Sequence, residues 1–120
     1  MTPDAARARS LMTRGVVLTV LALIGQAAVM LLAIQFTPVE ARQGVAQKIF
    51  YVHVPAAFIA LWVAVPLTAF AGLLYLWLHD ARLDRFAAAS AEVSTVLCGI
   101  VLVTGPIWGK PIWGTWWTWD

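Results

Sequence analysis

Five of the chain's seven tryptophans lie between Trp108 and the carboxyl-terminal Asp120. If this segment is helical, four of its residues follow the i, i+3, i+4, i+7 spacing of one helix face: Trp113, Trp116, Trp117 and Asp120. Three indoles beside a carboxylate suit a flat aromatic ligand. Anchoring in the membrane interface explains two or three such rings, but five, with Trp119, exceed that need and slightly favour a ligand platform.

A second candidate is His53, within Tyr51-Val52-His53-Val54-Pro55 at the predicted outer mouth of a helix. The positive end of a helix disfavours imidazolium, and a neutral ring keeps the lone pair that an iron ligand needs. For a lone histidine, however, the residues by themselves favour the alternative, an interfacial histidine that only caps the helix. His79 stands beside Asp80 among charged residues, which indicates a solvated connector.

Composition determines the environment of these residues. Of 120 residues, 62% are hydrophobic and 12% are charged, too few polar side chains to cover a soluble domain. The apolar residues form blocks close to the ~20 residues with which a helix crosses a bilayer. We therefore expect an all-α integral membrane protein with no nucleic-acid partner.

Three spanning helices are predicted, at about 16–34, 54–78 and 86–107, followed by a tryptophan-rich segment at 108–120. A signal peptide is the alternative interpretation of the first block, since Val39-Glu40-Ala41 loosely resembles a cleavage site. Signal peptides carry only ~7 to 15 apolar residues, so a retained helix is favoured.

Prolines and small residues give details of the second and third helices. Pro55 is predicted in a first helical turn, whereas Pro66 falls mid-helix and should kink it. The run 87–91 consists of alanines and one serine, which allows a neighbouring helix to approach closely. Glu92 either snorkels or packs near the positive helix end, or is a functional carboxylate; the first interpretation is favoured.

Basic residues predict the orientation. Five lie in the amino tail and the loop at 79–85, against three on the other side: Arg7, Arg9, Arg14, Arg82 and Arg85 against Arg42, Lys48 and Lys110. The positive-inside rule places the amino terminus in the cytoplasm. The loop at 36–53 and the tryptophan-rich segment then share the periplasmic side.

Several chemistries are excluded by what the sequence lacks. Cys98 is the only cysteine, so neither a disulfide framework nor a thiolate cluster can form. No Cys-x-x-Cys-His motif attaches haem covalently, and no glycine-rich phosphate loop binds a nucleotide. Any nucleotide-driven step belongs to another subunit.

Two motifs carry a family resemblance. The segment from Val101 to Asp120 resembles the tryptophan-rich motif of proteins that handle haem in cytochrome c maturation. Together with Tyr51-Val52-His53-Val54-Pro55-Ala56-Ala57, it is similar to haem exporter protein C. The resemblance spans essentially the whole chain and matches the amino-terminal half of that family's six-helix fold.

The resemblance implies a function and partners. His53 corresponds to the first of two axial iron ligands, and the residues from Trp113 to Asp120 would cradle haem b non-covalently and transiently. The implied partners are a periplasmic haem chaperone, subunits of an ATP-binding cassette transporter, a small single-helix membrane protein and the lipid of the bacterial inner membrane. We expect presentation of haem for c-type cytochrome biogenesis, without catalytic turnover.

The chain departs from the family pattern in one respect. In the family, the second axial histidine lies in a later loop, after the position that corresponds to Asp120, so the residues up to Asp120 carry only the first of the two ligands. Two alternatives to haem presentation remain at this point. One is a haem-binding membrane-anchor subunit of a respiratory oxidoreductase, which usually buries its histidines inside facing helices. The other is a scaffold subunit that binds no cofactor.

Overall fold

A computed structural model describes residues 2–119. Within this range the regular secondary structure is helical, and the pairing of Glu40 with Gly44 is an isolated bridge rather than a strand. Two compact units are distinguished, one ending at Pro38 and the other beginning at Val39. Each is described by itself.

The first unit is a single helix, α1, Pro3–Phe36. Three residues stabilise its start. Thr2 is the N-cap, and its hydroxyl accepts from the Ala5 N–H at 3.3 Å. Pro3 needs no N–H partner in the first turn, and Asp4 complements the helix dipole. At the other end, the Thr37 hydroxyl donates to the Ala33 carbonyl. The helix therefore starts well before the predicted 16–34, since hydropathy marks only its apolar part.

The second unit begins with a turn and then a long, interrupted helix. A 3-10 turn, Val45–Ile49, leads into α2, Phe50–Ile59, then a π-helical turn, Ala60–Ala64, and α3, Val65–Leu78. The prediction that this helix begins at 54 is wrong. Pro55 lies inside α2 rather than in its first turn.

A π-helical turn precedes Pro66, the residue at which the sequence predicts a kink. Proline has no N–H, so the carbonyl four residues earlier, on Trp62, loses its α-helical donor. The Val65 N–H instead reaches back five residues to the Ala60 carbonyl. The Ala64 carbonyl accepts from two hydroxyls, those of Thr68 at 2.8 Å and Ser90 at 3.1 Å.

A two-residue turn reverses the chain into α4, Ala81–Trp113. His79 adopts the left-handed conformation, with φ 54°, and its N–H donates to the Tyr75 carbonyl at 2.8 Å. The Asp80 carboxylate accepts from the Arg82 N–H at 2.8 Å and caps α4. Such a short connection makes α3 and α4 antiparallel neighbours.

Small side chains form the contact between these neighbours. The buried residues of the second unit are alanines, one serine and one glycine: Ala56, Ala60, Ala64, Ala71, Ser94 and Gly109. Ser90 of α4 bonds to the Ala64 carbonyl, so the predicted close approach of the run 87–91 is confirmed. Glu92 is exposed and lies three turns into α4, beyond the reach of a helix-end dipole, so that part of its predicted role is wrong.

Three helical stretches are long and apolar enough to cross a bilayer: Pro3–Phe36, Val45–Leu78 and Ala81–Trp113. Most of their large apolar side chains are exposed, as expected where lipid replaces water. The prediction of an all-α protein with three spanning helices is confirmed.

Candidate functional site

The tryptophan-rich segment leaves the helix at its first predicted site residue. Helix α4 ends at Trp113, and Gly114 adopts the left-handed conformation with φ 77°, which only glycine enters readily. Residues 115–119 are not helical. The prediction that Trp113, Trp116 and Trp117 form a stripe on one helix is therefore wrong.

Lys110 holds the turn that replaces this stripe. The Gly114 N–H donates to the Lys110 carbonyl at 3.0 Å, and the Lys110 ammonium donates to the Gly114 carbonyl at 2.7 Å. The same ammonium lies 5.8 Å from the centre of the Trp116 ring, within the range of a cation–π contact. These contacts direct the segment after Gly114 back alongside α4.

A pocket of about 620 Å³ lies between the returning segment and the helix, and it is lined by Gly105, Pro106, Gly109, Trp113, Thr115, Trp116, Trp117 and Thr118. Its size falls within the ~300 to 1,000 Å³ that small-molecule sites occupy. Indoles form much of its wall, and glycines form part of its helical side. A flat aromatic molecule fits such a surface in size and chemistry.

The predicted site residues divide at this pocket. Trp113, Trp116 and Trp117 line it, whereas Trp119 does not; its side chain is 93% exposed and meets Trp117 edge-on at 5.5 Å. The predicted role of Asp120 lies outside the described residues.

His53 lies one turn inside α2, as its fourth residue. Its Nδ1 is 2.9 Å from the Thr104 hydroxyl oxygen, and its ring meets the Trp108 ring edge-on at 5.6 Å. It stands neither at a helix mouth nor at a cap, since the N-cap residue is Ile49.

Gly105 connects the histidine to the pocket. A β-carbon at this position would lie 3.3 Å from His53 Cε1, so only a glycine lets the imidazole pack against α4 without a shift. Gly105 also lines the pocket, whereas His53 does not. The imidazole and the tryptophan pocket therefore adjoin the same position of α4.

The sequence-based prediction gave no individual role to Thr104 and Trp108, which contact His53, or to Gln43, which contacts Trp108. Thr104 and Trp108 are one helical turn apart on α4 and share the face that meets α2. The Trp108 indole N–H donates to the Gln43 side-chain carbonyl at 3.1 Å, which ties the loop before α2 to the site. The spacing of Thr104, Gly105 and Trp108 was the available signal, but nothing local indicates which residue they contact.

His79 lies in the turn between α3 and α4 and is exposed, which confirms the prediction of a solvated connector. It follows His53 by 26 residues of nearly continuous helix, about 39 Å at 1.5 Å per residue. The two histidines therefore cannot bind one iron from opposite sides. Among the described residues, no group of three or more histidine, cysteine or acidic side chains is placed to hold a metal ion.

Comparison with known proteins identifies the family. The family model described as "Heme exporter protein C" matches residues 3–120. The chain belongs to the haem exporter protein C family. The resemblance noted from its two motifs is thereby confirmed.

Relatives named "Heme exporter protein C" support this assignment. The protein of Rhodobacter capsulatus is 44% identical over 85 residues, which are 71% of this chain and 35% of the relative. That of Escherichia coli K12 is 41% identical over 88 residues, 71% of this chain and 34% of the relative. The Paracoccus denitrificans protein is 42% identical over 86 residues, 70% and 34% of the two chains.

The chain thus aligns with about a third of the length of these relatives. Family membership and the three apolar helices make it a multi-pass inner-membrane protein.

Proposed function

We propose that this chain binds haem non-covalently at the periplasmic side of the inner membrane and presents it for c-type cytochrome biogenesis. Haem is the cargo here rather than a resident cofactor. One observation carries the proposal: a pocket lined by three indoles adjoins, through Gly105, the imidazole of His53. Iron needs a nitrogen donor, and the porphyrin needs an apolar aromatic surface. The imidazole and the indoles that would supply them lie next to each other.

The residues divide the recognition of haem between them. His53 supplies a nitrogen donor of the kind that holds haem iron axially. Trp113, Trp116 and Trp117 supply the apolar and stacking surface that a macrocycle requires. Gly105 and Gly109 let the rings of His53 and Trp113 lie close against the helix, beside the pocket that both glycines line.

Lys110 is not a free partner for the carboxylates of haem. Its ammonium already donates to the Gly114 carbonyl and contacts the Trp116 ring. We therefore assign Lys110 to shaping the pocket.

The proposed partners follow from the family. They are a periplasmic haem chaperone that receives the haem, the subunits of an ATP-binding cassette transporter and a small single-helix membrane protein. We propose a transport and assembly component rather than an enzyme, in keeping with the name that the relatives carry.

A respiratory membrane anchor is the weaker alternative. Such a subunit holds haem between histidines that face each other across neighbouring helices. His53 faces Thr104 and Trp108, and His79 lies about 39 Å further along the helical path. This arrangement favours one histidine beside an aromatic pocket.

Haem titration of the purified chain in detergent tests the proposal. The parent, His53→Ala and His79→Ala are followed by Soret absorption. We expect the His53 variant to bind haem at least ten-fold more weakly, because it lacks the nitrogen donor, and to lose the spectral shift of imidazole ligation.

His79→Ala is the matched control, since it removes the only other histidine, which lies in an exposed turn. It should bind like the parent. Equal affinities and spectra for all three proteins would reject His53 as the ligand. Loss of binding in His79→Ala alone would place the site at the carboxyl-terminal end of α3, where His79 lies.

A further inference from the structure

The Thr104 hydroxyl sits between two groups that compete for its single proton. Its oxygen lies 2.6 Å from the Ile100 carbonyl oxygen and 2.9 Å from His53 Nδ1. A carbonyl can only accept, and two oxygens at this separation repel unless a proton lies between them. The Thr104 proton therefore belongs to the Ile100 carbonyl, in the bond to residue i−4 that helical threonines commonly make.

This assignment determines the proton on the imidazole. With its proton directed at Ile100, the Thr104 oxygen has only lone pairs for His53, so Nδ1 must donate. A neutral imidazole carries one N–H, and Nε2 is then the nitrogen with a free lone pair. In the described part of the chain, Nε2 has no hydrogen-bond partner of its own.

Packing holds the ring in this orientation. Gly105 lies against Cε1, so close that a β-carbon there would have to displace the ring. The Trp108 ring stands edge-on at an angle of 68°, and its own N–H is fixed by Gln43. A ring confined on these sides by neighbours from α4 cannot exchange its two nitrogens without losing the Thr104 bond.

We propose that Thr104 is a positioning residue, which fixes the tautomer and orientation of His53 so that Nε2 is the nitrogen that meets iron. This inference rests on the proposed function, since it takes His53 as the ligand. Metal-binding histidines commonly donate their second N–H to a fixed acceptor, and loss of that acceptor typically weakens metal binding by about 10- to 100-fold.

The tautomer is measured without haem. The chain is prepared in detergent with nitrogen-labelled histidine, and nitrogen NMR spectra are recorded at about pH 9, where imidazoles are neutral. A His79→Ala background leaves His53 as the only signal. We expect the Nδ1–H form in this parent, a mixture of both forms in Thr104→Val, which keeps the shape but loses the acceptor, and the parent's form in Thr104→Ser.

The same variants are then titrated with haem. Thr104→Val should bind about 10- to 100-fold more weakly, and Thr104→Ser should bind within a few-fold of the parent. Rescue by serine separates the hydroxyl from the packing of the side chain.

Three results would overturn the inference. The first is an Nε2–H signal in the His79→Ala parent, which needs no Thr104 variant to fold. The second is an unchanged tautomer in Thr104→Val. The third is unchanged haem affinity in Thr104→Val while His53→Ala binds weakly, which leaves the proposed function intact. If His53→Ala itself binds like the parent, the proposed function fails, and the positioning role fails with it.

Discussion

Two glycines on α4 determine how closely aromatic rings approach this helix. At Gly105 a β-carbon would come within 3.3 Å of the His53 ring, and at Gly109 within 3.0 Å of Trp113 Cε3. Gly109 is also buried, although Trp113 is 74% exposed. The Trp113 indole therefore covers the glycine while most of its own surface stays exposed. The site therefore depends on these two glycines, which have no side chain, as much as on the rings that pack against them.

Replacing Gly109 by alanine should displace Trp113. Alanine stabilises a helix by about 0.5–1 kcal/mol relative to glycine, but here its β-carbon collides with the ring, since Trp113 Cζ3 also lies only 3.1 Å away. We expect Gly109→Ala to lose that gain and to bind haem several-fold more weakly. Thermal unfolding in detergent and Soret titration measure the two effects.

Gly99→Ala is the matched control, because it stands in the same helix with nothing within 4 Å of the added carbon. It should raise Tm and leave haem binding unchanged. An equal rise in Tm for both variants would mean that Trp113 moves aside without cost.

At the scale of elements, the end of α4 creates the pocket. Two prolines lie in its last turns, Pro106 and Pro111, and neither stops it. It ends where Gly114 turns left-handed and Lys110 bonds across the turn. Without that turn, Trp116 and Trp117 would continue along the helix, and the pocket between segment and helix would not exist.

How far sequence predicts these elements depends on the signal each one carries. Long apolar blocks predict α1, the helix from Val45 to Leu78 and α4, because hydrocarbon leaves few alternatives for the backbone. Their ends were predicted less well, since the helices continue into polar residues that hydropathy does not mark. The spacing of the tryptophans suggested a continued helix, and only the glycine at 114 signalled the break.

Lys110→Met should loosen the segment after Gly114. Methionine keeps an unbranched side chain but removes the ammonium, with its hydrogen bond and its contact to Trp116; together these contribute about 1 kcal/mol or more. A spin label at Thr118→Cys, in a Cys98→Ser background, reports the motion by electron paramagnetic resonance. We expect a more mobile spectrum and weaker haem binding.

Arg42→Met is the control for charge. It removes one positive charge from the same unit, and the bond of Arg42 to Glu40 uses its backbone N–H. Its spectrum should match the parent. If Lys110→Met leaves the label equally immobile, the segment is held by the tryptophans alone.

For the whole molecule, the site joins parts of the chain that are far apart in sequence. His53 and Thr104 are separated by 51 positions, and Gln43 and Trp108 by 65. Periodicity identifies the faces of single helices, but it does not fix the register between two of them. His53 and the tryptophans were therefore predicted singly from residue chemistry, whereas Thr104, Gly105 and Trp108 became visible only once α2 and α4 were packed.

The orientation of the molecule follows from its charges. Five arginines on one side of the predicted spans face three basic residues on the other, which predicts that the amino terminus is cytoplasmic. In the second unit, the turn at 79–80 and the loop at 39–44 lie at opposite ends of the helix Val45–Leu78. They should therefore face opposite sides of the membrane, with the tryptophan pocket on the side of the loop.

Single cysteines test this orientation in intact cells. In a Cys98→Ser background, Ala41→Cys and Asp84→Cys are both exposed positions on opposite sides of the predicted membrane. A maleimide that reaches the periplasm but not the cytoplasm should label position 41 in intact cells and position 84 only after lysis. Both should label equally once the membrane is solubilised, which controls for reactivity. Labelling of position 84 alone in intact cells would invert the molecule and place His53 and the tryptophan pocket in the cytoplasm, where a periplasmic chaperone cannot reach them.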